Sequence, residues 1–314
     1  MPVFFLIIAC ALWGLSFPLL KVLNLEQAAR LPAASSLFLA SWLQFARFGF
    51  AAILLLPFVI RQKGLSKLEI RQGLVLAFWG GLAMWLQADA LAYTEASTSA
   101  FLTGAYCVFI PLWTSLRLRA HPGARVIIAT LMVLMGGAVL SGLRPDHLRL
   151  GRGEVETLCA ALLFAFQILT LENPKYATNR GLPVSFMMFL GITVLFIPIT
   201  LGTATSLQAC LTPGASLPAV LLVSCLTVFC SVGAYLLMNT WQPRVSATEA
   251  GLIYTTEPAF TAVYVLFLPI VLGKWTGLDY ANEKASISMI VGGSLILAAN
   301  VIMQWKPQAP ESAP

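Results

Sequence analysis

The 314-residue chain is 59% hydrophobic and only 10% charged, with a mean hydropathy of +0.84, a balance that excludes a soluble globular domain and marks a membrane protein. Its formal net charge of +6 would suggest an acidic partner for a soluble protein. In a polytopic chain that charge mostly reports orientation, so nucleic acid is not implied.

Long uncharged runs cover residues 3–20, 98–116, 126–143 and 181–243, and a span needs about 20 apolar residues. Apolar segments recur as far as Trp305, so the first is read as a retained span and not as a removable signal. In chain order the pattern predicts ten helices. The first covers 3–22 and ends in WGLSFPLLK, where Pro18 is expected to free backbone carbonyls. The second, 35–60, holds Arg47; a basic loop with Arg61, Lys63, Lys67 and Arg71 follows. The third, 72–92, carries Trp79, Trp85, Gln87 and Asp89, and the fourth is 98–116. A second basic loop leads to the fifth, 126–143. The longest hydrophilic connection, from Arg144 onward, then separates the halves.

The sixth to tenth helices are expected at 154–173, 182–201, 217–241, 247–272 and 285–305, with Thr212, Pro213 and Gly214 breaking the long run between the seventh and eighth. No structure is assigned to the Pro-rich residues 306–314. The first two inner connections hold Arg61, Lys63, Lys67, Arg71, Arg117, Arg119 and Arg125 against Lys21 and Arg30 outside, which favours cytoplasmic termini. The cysteines at 10, 107, 159, 210, 225 and 230 have no metal-ligand or disulfide spacing and read as structural thiols.

A shift of about 150 residues lays Thr98, Ala100 and Leu102 on Thr248, Ala250 and Leu252, Trp85 on Tyr235, Asp89 on Asn239, and ALW 11–13 on ALL 161–163. A slightly larger shift pairs Gly136 and Gly137 with Gly292 and Gly293, small residues suited to close helix approach in a scaffold or a dimer contact. Residues 1–143 and 154–305 thus read as two repeats joined by 144–153. With five helices each, the repeats enter the membrane in opposite orientations, a layout that gives two states of similar energy.

The segments WGLSFPLLK, RFGFAA (47–52), ALAYTEASTSAFLTGAYCVFIPL (90–112) and TEAGLIYTTEPAFTAVY (248–264) resemble the EamA-type permeases of the drug/metabolite transporter superfamily. The resemblance covers essentially the whole chain. It implies an all-α polytopic membrane protein of ten transmembrane helices in two inverted five-helix EamA repeats, with a central cavity lined by helices one to four and six to nine. It also implies transport without ATP, and the chain has no GxxxxGK[ST] loop.

Intramembrane charges are the candidates for work. Arg47 either binds a substrate carboxylate or fixes packing through carbonyls or a carboxylate such as Asp89. Asp89 is a proton carrier, a partner of Arg47 or a solvated end residue. Glu257 lies beside Pro258, which frees carbonyls for a ligand, though a family turn motif gives the same pattern. Glu95 and Glu249 open helices four and nine and read as dipole caps.

On helices expected to face the cavity, Trp13, Trp85, Tyr106, Tyr235 and Tyr254 suit amphipathic or cationic cargo through stacking and cation–π contact. Ser16, Gln87, Thr103, Gln167 and Asn239 supply polar contacts to cargo or to a neighbouring helix.

The expected protein is a secondary transporter, without cofactor or metal, in the cytoplasmic membrane. It is expected to export small organic metabolites by alternating access, with protons as a possible coupling ion and a monomer or homodimer as the unit. The alternative is a non-transporting sensor or assembly protein. An enzyme is disfavoured, because His121 and His147, the only histidines, fall in hydrophilic connections.

Overall fold

In the computed structural model, which describes residues 1–62, 64–117, 119, 121, 123–140, 150–245, 250, 253–254 and 256–304, the regular elements are helical. The first half contains α1 (Pro2–Arg30), α2 (Ser36–Arg61), α3 (Lys67–Ala90), α4 (Ala96–Thr103), α5 (Tyr106–Arg117) and α6 (Ala124–Leu140). The second contains α7 (Arg152–Leu171), α8 (Gly181–Thr203), α9 (Leu217–Cys225), α10 (Ala234–Trp241), α11 (Glu257–Val265), α12 (Leu268–Thr276) and α13 (Ile287–Gln304). His147, Glu249, residues 144–149 of the connection and the tail 306–314 lie outside the described residues.

Helix starts follow local chemistry. Ser35 Oγ accepts from Phe38 N–H ahead of α2, and Ser66 and Glu69 form a reciprocal capping box ahead of α3. Glu95 precedes α4 but makes no side-chain cap. Glu283, from the connection between α12 and α13, accepts from Ser97 N–H instead.

Several expected boundaries shift. α1 runs unbroken through Pro18 to Arg30, so Lys21 sits inside a helix, where its ammonium donates to Leu91 O and Thr94 O at 2.9 and 2.7 Å and caps the end of α3. The fourth helix is interrupted at Gly104, between α4 and α5. α9 passes through a π segment, Leu226–Gly233, into α10. Pro258 opens α11 and does not break a longer helix. The bend of 56° falls at residues 266–267, before Pro269.

Among the described residues, six helical segments are long and apolar enough to cross a membrane when α4–α5 and α9–α10 are each taken as one, or seven when α11 and α12 also count as one bent span. The chain is a polytopic membrane protein, although fewer than the ten expected helices meet this standard. In α3 the apolar run is diluted by Gln72, Gly73, Gly80, Gly81 and Gln87. The described apolar stretch of α13 is shorter than a full span. Large side chains such as Ile53 and Ile60 on α2 are 65% and 72% exposed, as expected for a surface facing lipid tails.

Packing places α2 against α8, α6 against α13, α3 against α7 and α8, and α7 against α4 and α5. α1 packs on α11, α10 and the π segment, which also contacts α2. Lipid gives no hydrophobic incentive for apolar helices to associate, so close backbone approach matters. At Gly136 an added Cβ would lie 2.7 Å from Gly292 O, which brings α6 and α13 nearly into backbone contact. One end of the bundle is tied by Glu69, which accepts from Arg180 Nε at 2.7 Å, and by Asn179, which donates to Gln72 at 2.8 Å.

Candidate functional site

The helices converge on a small central cavity. It receives Trp13 and Ser16 from α1, Arg47 from α2, Gln87 from α3, Thr103 and Tyr106 from the α4–α5 region, Gln167 from α7 and Tyr235 from α10, with Tyr254 and Glu257 completing the wall. α8 contributes no lining residue. Met84, Phe164, Ile168 and Met238 also line the cavity and were not anticipated from the sequence.

Arg47 is buried, and its Nε donates to Ser231 Oγ. Ser231 in turn donates to Leu226 O at 3.2 Å, a bond spanning five residues that belongs to the π segment. The local widening of that helix therefore turns a hydroxyl toward the guanidinium, a use of π geometry seen at functional sites. Glu257 is buried at the start of α11, on the opposite half of the chain from Arg47. Among the described residues neither Arg47 nor Glu257 has an ion-pair partner.

The aromatic wall is interlocked. Trp13 lies 5.2 Å from Tyr235 and 5.7 Å from Tyr254 between ring centroids. Tyr106 donates to Tyr254 O, Tyr254 donates to Gln242 Oε1 at 2.7 Å, and Gln242 donates to Ile168 O. Gln87 donates to Thr103 Oγ1 at 2.9 Å, and Thr103 donates to Ser99 O. Trp13 Nε1 is buried without an acceptor among the described residues, which leaves a donor at the cavity wall for a ligand.

Three expected site residues stand elsewhere. Trp85 donates to Leu37 O and packs on Phe196. Asn239 donates to Ser185 Oγ at 2.9 Å, toward α8. Asp89 does not meet Arg47; it pairs with Arg152 at the start of α7, which also pairs with Glu156 and donates to the Tyr93 hydroxyl. The cluster joins the end of α3 to the start of the second half, so the expected Arg47–Asp89 contact is replaced by an ion pair between halves.

A crystal structure superposes on this fold over 94% of both chains, with a TM-score of 0.55 and 17% identity, a likeness of fold alone. An uncharacterized transporter of Archaeoglobus fulgidus is 24% identical over 267 residues, which cover 82% of this chain and 84% of that protein. Residues 1–142, the half that supplies Trp13, Arg47, Gln87 and Tyr106 to the cavity, match the EamA-like transporter family. The first 142 residues of the chain are thus similar to a family of transporters.

Proposed function

We propose that this protein is an EamA-type secondary transporter that moves small organic metabolites, such as amino acids, related amphipathic compounds or drugs, outward across the cytoplasmic membrane by alternating access. The observation that carries the reading is the pairing, in one cavity, of a buried guanidinium and a buried carboxyl that have no ion-pair partners among the described residues. Such groups are costly at membrane depth unless cargo or a coupling ion uses them. Arg47 serves a carboxylate or other anionic group, Glu257 serves an ammonium group or a proton, and Trp13, Tyr106, Tyr235 and Tyr254 embrace the apolar body.

Inverted five-helix repeats are the proposed source of the two access states, and the packing supports them. Exchanging the halves turns the contacts of α1 with α10 and α11 into those of α7 with α3, α4 and α5, and it leaves α2–α8 and α6–α13 paired with each other. The outward direction and the membrane rest on the family likeness. Counterflow in proteoliposomes tests the reading with a labelled panel of amino acids, nucleosides and small amines. Selective accumulation of one class, lost in Arg47→Gln or Glu257→Gln, is expected. Accumulation that both variants retain in full would remove the cavity from the pathway.

A further inference from the structure

A second, open groove lies between α3, α5 and the end of α7, and it shares none of the lining of the central one. Trp79 and Phe166 pack on each other in its wall with ring centroids 4.8 Å apart, and Trp113 meets Phe166 edge-on at 4.9 Å. Beyond them lie Glu172, Arg117 and Tyr176.

Glu172 is the residue that ends α7, and its Oε1 is buried with no hydrogen-bond partner. No side-chain hydrogen bond or ion pair to it occurs among the described residues, and none joins it to Arg117. A buried carboxylate oxygen without a donor is costly. Here it stands beside three indole and phenyl rings whose faces attract cations. Carboxylate and π-faces together select a positively charged head over an anion or a neutral polar group.

We propose that this groove is a binding site for an ammonium-bearing amphiphile, with its cationic head on Glu172 and its apolar body against Trp79, Trp113 and Phe166. Arg117 at the exposed side of the groove accepts an anionic substituent of the same molecule. Both a free amine metabolite and an ethanolamine lipid headgroup carry this chemistry. Leu169 and Thr170 of α7 line the groove, whereas Phe164, Gln167 and Ile168 of the same helix line the central cavity, so α7 is the partition between the two. The site is separate from the transport reading and stands whether or not the central cavity carries cargo.

Equilibrium dialysis of the full chain in phosphatidylglycerol nanodiscs, with labelled benzyltrimethylammonium, tests it. Saturable binding is expected, weakened about tenfold in Glu172→Gln and about threefold in Trp113→Leu. The Glu172-dependent component of binding should be unchanged in the cavity variant Glu257→Gln. Neopentylbenzene, the neutral isostere, should compete at least about tenfold more weakly than the unlabelled cation.

Replacing the lipid with phosphatidylethanolamine separates the two sources. Competition by that lipid, still dependent on Glu172, makes the headgroup an occupant; no competition leaves the free amine, and either result sustains the site. Trp113→Leu with the isostere comparison carries the test should Glu172→Gln fail to fold. Binding as tight in folded Glu172→Gln as in the native chain, equal binding of the isostere, or loss that follows Glu257→Gln alone would overturn the proposal.

Discussion

Thr261 shares its hydroxyl proton between Gly14 O at 3.3 Å and Glu257 O at 3.2 Å, and Gly14 O is the carbonyl that Pro18, lacking an N–H, leaves without its helical donor. The expected free carbonyl in α1 thus exists, and a neighbouring helix satisfies it. The contact is possible because α1 and α11 approach closely: an added Cβ on Gly14 would fall 2.9 Å from Phe260 Cβ and 3.0 Å from Thr261 N. Thr261→Val should lower stability by about 1 kcal/mol, and Gly14→Ala by about 1–3 kcal/mol through overpacking. Thermal unfolding in nanodiscs reads both. A Gly14→Ala protein as stable as the native chain would mean that the two helices move apart at little cost.

Arg47 and Glu257 make opposite demands on cargo. Under the proposed reading Arg47→Gln should cut counterflow of an anionic or zwitterionic cargo at least about tenfold, because a charge-assisted hydrogen bond is lost. Ser231→Ala should have a smaller effect, since it frees the guanidinium without removing it. A monodisperse Arg47→Gln protein with native counterflow would assign Arg47 to packing alone.

The helices were legible from their apolar runs because the bilayer demands long uncharged segments whatever their neighbours. The side of each helix that meets the cavity was less so. The repeat offset matched Asp89 to Asn239 and Trp85 to Tyr235, which fixes depth along each helix but not rotation about its axis. One residue turns the helix by about 100°. Met84 and Gln87 therefore face the cavity while Trp85 packs on Phe196, and Tyr235 and Met238 face it while Asn239 turns to Ser185. The missed Met84, Phe164 and Met238 each lie three residues from a polar or aromatic residue that had been chosen. Spacing of i, i+3 from Gln87, Gln167 and Tyr235 was the signal that would have found them. The pairing of Asp89 with Arg152 had no such signal, since it depends on where the second half enters relative to the end of α3.

That ion pair has an unequal burial: the Asp89 side chain is 0% exposed and Arg152 44%. Removing the exposed partner leaves a buried carboxylate without its cation, and that is the costly direction. Arg152→Gln should destabilise the protein by about 2 kcal/mol, discounted from a fully buried pair because solvent reaches the guanidinium. Asp89→Asn in the Arg152→Gln background should recover part of the loss. Additive losses in that double-mutant cycle would show that the two side chains do not stabilise each other.

Glu172 gives the clearest pH dependence outside the spans. Burial pushes its carboxyl up from an ordinary 4.5 to about 7, so between those values the folded state holds a proton that the unfolded chain releases. Stability should therefore fall as pH rises from about 4.5 to about 7 and level off above. The charged and titratable groups nearest to it are Arg117 on α5, Lys175 over the ring of Tyr176, and Tyr176 itself. Glu172→Gln removes the titrating group and should flatten that part of the profile. Added benzyltrimethylammonium, by favouring the carboxylate, should offset the loss near neutral pH in the native chain and not in the variant. Unfolding temperatures across the range, with and without the cation, measure both effects. Identical profiles for native and Glu172→Gln proteins would show that the carboxyl titrates alike in the folded and unfolded chain.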